Sequence, residues 1–136
     1  MIDIIKNTIL YGINTLEIEI INKMNKYFEL ATKIAIENSE GKHYCFGAVG
    51  IRADGCMVSS HNIKSPIQDV NCHAEARLTK KLDNGSLVYV VRINRKGSRL
   101  LNARPCIGCQ FKMRSKKVRR CYYSISDTEF GVIDFE

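Results

Sequence analysis

The chain has 136 residues, of which 45% are hydrophobic, and a formal net charge of +7 at pH 7. This length suits one domain with a single sizeable core, and the apolar content argues against a disordered chain. No apolar run reaches the roughly 20 residues of a membrane-spanning helix, and the first ten residues carry charges and lack a signal-peptide cleavage site. We therefore expect one cytoplasmic domain over residues 1–136.

Two helical segments are expected before the first strand. Residues 1–22 are apolar with weak periodicity, and we expect an N-terminal extension that packs as a short helix on the domain or on another subunit. Residues 23–39 end just before Gly41, which favours a helix stop. Within them apolar residues recur at helical spacing, which predicts an amphipathic helix: Met24, Tyr27, Phe28, Ala31, Ile34 and Ala35.

A hairpin and a helix follow. The strand-like segments 43–51 and 55–63 flank Asp54-Gly55, a dipeptide typical of tight hairpin turns. The sequence CHAEARLTKKL, 72–82, is helical in pattern, with Asn71 as its expected N-cap and Asn84-Gly85 as its stop.

The second half alternates strands with a helix. The segment LVYVVRI, 87–93, is nearly all apolar and β-branched, which predicts a strand covered on both faces. Pro105 suits the first turn of a helix over 105–117, and VRRCYYSI, 118–125, is the next strand. A last strand near 129–135 follows after so short a link that it must be antiparallel to its neighbour. The order predicts a mixed sheet with helices on its faces.

Six cysteines without a secretory signal favour metal binding or catalysis over disulfides. Cys45 and Cys121 lie in apolar strand-like stretches, and we expect both to be buried free thiols. Cys106 and Cys109 share a CxxC spacing, which serves a redox dithiol, half of a structural zinc site, or two ligands of a catalytic metal.

The starts of the two later helices carry the residues of a metal site. His73 and Glu75 belong to one, and Cys106 and Cys109 lie i and i+3 on the other. Mixed sheets gather such helix starts along one edge, so these four can converge. One imidazole and two thiolates suit zinc, and no clean fourth ligand exists, since His43 and His61 lie in predicted strands. Helix dipoles favour thiolate at both cysteines. An open zinc position would leave Glu75 to act as a base.

A basic run lies between Arg92 and Arg120, where eleven residues are Lys or Arg and none is acidic. Such a run can bind phosphate on a nucleotide or nucleic acid, and it can equally be a solvated face with lysines that complement a helix dipole. For a phosphate, the candidates are Arg92, Arg99 and Arg104.

The motifs HAE and RPCIGC, together with FGAVGIRADG and Asn62, resemble the cytidine and deoxycytidylate deaminase superfamily. The resemblance runs from about Lys23 to Ser124. It implies a three-layer α/β/α fold with a five-stranded mixed sheet whose last strand is antiparallel. That last strand resembles the free-nucleoside branch, which is often tetrameric, so a homodimer or homotetramer is expected. His73 is instead typical of the deoxycytidylate branch, and Cys72 beside it is a competing ligand.

The resemblance also implies roles for single residues. His73, Cys106 and Cys109 would bind Zn²⁺, and Glu75 would carry protons from water to the ring nitrogen and to the leaving ammonia. Contacts with the substrate would come from the side chain of Asn62, the backbone N–H of Ala74, and a pocket wall at Phe46 and Ala48. A turn-capping role for Asn62 and a plain core role for Phe46 and Ala48 remain as alternatives.

Three functions follow as hypotheses. The first is a zinc-dependent hydrolytic deaminase of a free cytosine nucleoside or nucleotide, a small-molecule enzyme without a membrane partner. The second is a deaminase of single-stranded DNA or RNA, which the basic run favours and the scarcity of aromatic residues near it disfavours. The third is a non-enzymatic interaction module that zinc staples together.

Overall fold

The computed structural model describes residues 15–67 and 69–136, which form a mixed sheet flanked by helices. The strands are β1 (Cys45–Ile51), β2 (Met57–His61), β3 (Leu87–Ile93), β4 (Leu100–Leu101), β5 (Arg120–Ser124) and β6 (Phe130–Asp134). The helices are α1 (Thr15–Glu37), α2 (Ala74–Thr79) and α3 (Ile107–Ser115), and a 3-10 turn, Val70–Cys72, precedes α2.

The strand order is β2-β1-β3-β5-β6, with the two-residue β4 paired beside β3. β1 pairs antiparallel with both β2 and β3, while β3 and β5 are parallel because α3 forms the crossover between them. β6 returns antiparallel to β5. The predicted mixed α/β sheet with an antiparallel last strand is therefore confirmed, with β4 as one additional strand.

Two buried clusters lie on opposite faces of the sheet and make the fold three-layered. Along β3, Val88 and Val90 join the cluster under α2 and α3, whereas Tyr89 and Val91 join the cluster under α1. This alternation is the period of two of a β-strand. The prediction that the segment 87–93 is covered on both faces is confirmed.

Helix α1 packs unusually close to the sheet at Gly47. A Cβ added to this residue would lie 2.0 Å from the Ala31 carbonyl oxygen and 2.8 Å from the Ala35 backbone nitrogen. Only a residue without a side chain allows helix and strand backbones to approach so far. Gly47 and the two alanines therefore set the position of α1 on β1.

Several predicted boundaries were wrong. Residues 15–22 are part of α1 and not of a separate extension, and residues 1–14 lie outside the described part of the chain. Asn71 does not cap α2: the Asp69 side chain accepts a hydrogen bond from the Asn71 backbone N–H and starts the 3-10 turn. The α-helix itself begins after His73 and ends at Thr79, well before the stop expected at 84–85.

Helix α3 is also shorter than predicted, because caps limit it at both ends. Cys106 is its N-cap, so Pro105 lies before the helix and not in its first turn. At the other end Lys117 adopts a left-handed φ of 61°, and the Val118 N–H donates to the Met113 carbonyl at 3.0 Å. This is the hydrogen bond of a Schellman motif, which ends a helix.

All six cysteines lie in the described residues, and none of them forms a disulfide. Cys45 and Cys121 are buried as free thiols, as the sequence predicts. Within residues 15–67 and 69–136, no helix has the length and apolar character needed to cross a membrane.

Candidate metal centre and adjoining cavity

The N-terminal ends of α2 and α3 bring three potential metal ligands together. His73 is the N-cap of α2 and Cys106 is the N-cap of α3, and neither uses its side chain for a capping hydrogen bond. Cys109 follows in the first turn of α3 and is fully buried. The ligand atoms of His73, Cys106 and Cys109 all lie within 4.8 Å of one another.

The distances between these atoms fit tetrahedral coordination. The His73 Nδ1 atom lies 3.3 Å from the Cys109 Sγ and 3.6 Å from the Cys106 Sγ. A tetrahedral ion with ordinary Zn–S and Zn–N bonds separates an imidazole nitrogen from a thiolate sulfur by about 3.5 Å. Both nitrogen–sulfur distances are therefore compatible with one metal ion bound by the three side chains. Within the described residues, the group has these three members and no fourth protein ligand.

Cys72 lies next to His73 in sequence but outside this group. It is buried, and its thiol donates to the Ile67 carbonyl at 3.7 Å, away from the two sulfurs of α3. His73 itself has an extended backbone, with φ −74° and ψ 148°, between the 3-10 turn and α2. The backbone thus presents His73, and not Cys72, to the cysteines of α3.

A buried carboxyl group lies beside the three ligands. Glu75 is only 4% exposed, and burial raises its pKa to about 7, although hydrogen bonds to its own backbone N–H and to the Cys109 thiol act in the opposite direction. Burial also raises the pKa of the Cys109 thiol, and the nearby charge of Glu75 raises it further. Both effects favour the thiol form of Cys109 and oppose the expected effect of the helix dipole, so the thiolate stays a prediction. A bound dication would reverse this balance, since coordination deprotonates a thiol.

A cavity of about 480 Å³ adjoins the group of His73, Cys106 and Cys109, and His73 forms part of its wall. Its volume lies within the range of small-molecule sites. It is lined by residues from the loop before β1, from β1, from the segment after β2, from the start of α2 with its 3-10 turn, and from β3: Gly41, Lys42, His43, Tyr44, Phe46, Asn62, Ile63, Lys64, Ser65, Cys72, His73 and Arg92.

Two of the four predicted substrate contacts lie in this wall. Phe46 lines the cavity, and so does Asn62. The Asn62 Oδ1 accepts from the Phe46 N–H at 2.9 Å, and its Nδ2 donates to the Tyr44 carbonyl at 2.7 Å, so this side chain also continues the β1–β2 pairing. One N–H of its amide remains for a ligand.

The other two predicted contacts are placed differently. Ala48 is fully buried in the cluster under α2 and α3 and does not line this cavity. Ala74 is fully buried at the first position of α2, where its carbonyl accepts a hydrogen bond from the Ser60 hydroxyl. The contact of its N–H with a base stays a prediction.

Lys42, Lys64 and Tyr44 also line the cavity, and they could not be predicted because they lie in loops without any motif. The Lys42 Nζ donates to the Asn62 carbonyl and lies 3.2 Å from the His61 Nδ1. Burial lowers the pKa of Lys42, and the Cys45 thiol acts in the opposite direction. The sequence signal for these cavity-lining lysines was limited to the high lysine content of the chain.

The basic run from Arg92 to Arg120 does not form one surface. Arg92 lines the cavity, Arg119 pairs with Glu136 at 2.9 Å, and Arg120 pairs with Asp134 at 3.5 Å. Arg104 donates to the Tyr123 hydroxyl at 2.8 Å. Much of the run is therefore a solvated face that acids near the C-terminus partly neutralise.

No protein-family model matches the sequence, and no curated protein matches it either. Among solved structures, the chain is similar to a mutant cytidine deaminase from Mycobacterium tuberculosis, at 20% sequence identity and a TM-score of 0.48. The match covers 74% of this chain and 83% of that chain.

Proposed function

We propose that this protein is a zinc-dependent hydrolytic deaminase that converts a free cytosine nucleoside or nucleotide to its uracil form and releases ammonia. The observation that carries the proposal is the convergence of His73, Cys106 and Cys109 within 4.8 Å, with the buried carboxyl of Glu75 beside them. The cavity next to His73 provides room for a substrate.

His73, Cys106 and Cys109 would hold the zinc ion. One imidazole and two sulfurs are donors that zinc prefers, and three protein ligands are typical of catalytic sites, whereas structural sites have four. A zinc ion bound there supplies the Lewis acidity that makes water nucleophilic at neutral pH.

Glu75 would carry the protons of the reaction. The oxygen of water adds to the ring carbon that bears the amino group, and Glu75 takes a proton from that water. It returns this proton to the adjacent ring nitrogen. It then carries the second proton from the added oxygen to the amino group, which leaves as ammonia when the carbon–nitrogen bond breaks and the carbonyl forms. Substrate and water thus become the carbonyl product and ammonia, with no oxidant or reductant required. Burial suits Glu75 to this exchange, because it raises the pKa of the carboxyl group toward neutral pH.

Phe46 and Asn62 would hold the substrate. The aromatic ring in the cavity wall offers apolar contact to the base, and the remaining amide N–H of Asn62 offers a hydrogen bond to base or sugar. The Ala74 N–H would complete the recognition of the base by donating to its carbonyl. Ala48 would support this wall from the core.

The two alternative functions have less support. A structural zinc staple gives no reason to bury the carboxyl of Glu75, which costs free energy. A nucleic-acid deaminase would use the basic run as one surface, but Arg92 lines the cavity, whereas Arg119 and Arg120 pair with acids at the C-terminus.

A substrate screen tests the proposal. Zinc-loaded protein is incubated with cytidine, deoxycytidine, their 5′-monophosphates, the adenine and guanine counterparts, and a single-stranded oligonucleotide, and ammonia release is measured. We expect release from at least one free cytosine compound and less from the oligonucleotide. Release from the oligonucleotide alone, or from none of these compounds, contradicts the proposal.

A further inference from the structure

The cavity beside the candidate metal group is strongly basic. Lys42, Lys64 and Arg92 contribute to its wall, and none of its described lining residues is acidic. Among the ion pairs of the described residues, none involves any of these three. A concave site with three uncompensated cations attracts an anion.

Arg92 is the best placed of the three. It lies on the central strand β3, opposite Phe46 of β1, and its guanidinium carbon is 5.0 Å from the Tyr44 ring centroid and 5.8 Å from that of Phe46. The two rings hold the guanidinium plane in position. Its Nε atom is buried and has no hydrogen-bond partner among the described residues. Because buried donors are nearly always satisfied in folded proteins, this orphan indicates a missing ligand.

The two lysines differ in burial and in their hydrogen bonds. Lys42 is anchored by the Asn62 carbonyl, so its ammonium group is fixed at the cavity wall. Lys64 is exposed and belongs to the segment after β2 that follows Asn62. A fixed guanidinium together with ammonium groups is the usual protein surroundings of a phosphate, since arginine binds two oxygens at once and lysine adds charge.

We propose that this cavity binds the phosphate of a nucleoside 5′-monophosphate, with Arg92 as the main contact and Lys64 and Lys42 as supporting contacts. The identity of the ligand as a nucleotide rests on the proposed function. The protein would then prefer cytosine nucleotides to nucleosides as substrates. We propose a free nucleotide as the ligand, because all three cations line one cavity of about 480 Å³.

The other two arginines that the sequence offered for this role do not line the cavity. Arg104 is engaged with the Tyr123 hydroxyl and lies over that ring at 5.6 Å. Arg99 is exposed in the turn between β3 and β4, where its N–H donates to the Asn94 Oδ1 at 3.1 Å. Arg99 therefore offers a matched control, being an arginine of the same basic run outside the proposed site.

The test is a calorimetric comparison of uridine monophosphate and uridine as binding probes. Both are measured on the zinc-loaded Glu75→Gln protein, so that no turnover is needed. We expect the monophosphate to bind about tenfold or more tightly than uridine, because charge-assisted hydrogen bonds to phosphate are strong. The ratio of the two affinities should fall as the salt concentration rises. Arg92→Gln and Lys64→Ala, each added separately, should reduce this ratio without weakening the binding of uridine. Arg99→Gln should leave the ratio unchanged.

Three results would overturn the inference. The first is equal affinity for the two probes, and the second is a loss of monophosphate affinity in the Arg99→Gln protein equal to that in the Arg92→Gln protein. The third is tighter binding of a short oligodeoxycytidylate that depends more on Arg92 than the binding of the monophosphate does. Lys64 is exposed, so its variant tests the site even where Arg92→Gln lowers the melting temperature. The two proposals fail separately. A preference for the monophosphate without any ammonia release would support the phosphate site and refute the deaminase. Ammonia release with equal binding of the two probes would support the deaminase and refute the phosphate site.

Discussion

The choice between neighbouring residues is made by the backbone at the start of α2. Cys72 and His73 are both good zinc ligands, and the sequence pattern favoured His73 only through the spacing to Glu75. The 3-10 turn that Asp69 caps directs the Cys72 thiol toward the Ile67 carbonyl and leaves His73 facing the sulfurs. This turn could not be predicted, because Asn71 offered an equally good cap by residue type.

A pair of variants tests this choice. His73→Ala should weaken zinc binding by more than about 100-fold, since even the loss of a partner outside the ligand shell costs 10–100-fold. Cys72→Ser removes the neighbouring thiol and should leave one zinc per chain, as measured by elemental analysis after dialysis against a competing chelator. Zinc loss in the Cys72→Ser protein together with zinc retention in the His73→Ala protein would identify Cys72, and not His73, as the ligand.

For the helices and strands, the sequence predicts their order and their type but not the residues at which they end. The helices and the five main strands follow from periodicity, and the antiparallel last strand follows from its short connection. β4 was missed because two residues, Leu100 and Leu101, carry no periodicity. They pair with Arg92 and Ile93 after a tight turn. The early end of α3 was missed because a lysine, and not a glycine, takes the left-handed position after it.

The close packing of α1 on β1 gives a prediction about stability. Gly47→Ala places a methyl group against the backbone of α1, which cannot yield as a side chain would. We expect the free energy of unfolding to fall by about 3 kcal/mol or more, toward the upper end of overpacking effects. Urea unfolding followed by circular dichroism measures it.

The control for that experiment is Glu29→Ala, on the exposed face of the same helix, which should change stability by less than about 0.5 kcal/mol. Equal stability of the Gly47→Ala protein and the unmodified protein would mean that α1 does not lie this close to the sheet.

For the whole molecule, folding separates charges that are neighbours in sequence. The run of eleven basic residues suggested one phosphate-binding surface, yet strands, a helix and turns distribute it, and acids from the last residues pair with its end. The basic cavity instead combines Arg92 with lysines from segments 28 and more positions away. Such a combination depends on strand pairing, so the convergence of His73, Cys106 and Cys109 could be predicted from motifs whereas the cavity could not.

The central claim is that a metal site and the Glu75 carboxyl together form a hydrolytic active site. The most direct test compares ammonia release by the unmodified protein, Glu75→Gln and Glu37→Gln, at equal zinc content, on the best compound of the screen. Glu37 is an exposed control at the end of α1, where it pairs with Lys33. We predict that Glu75→Gln lowers turnover by at least about 100-fold, since proton transfer contributes 10²–10⁴-fold to catalysis, while Glu37→Gln is fully active. Undiminished release by the zinc-loaded Glu75→Gln protein would contradict the claim.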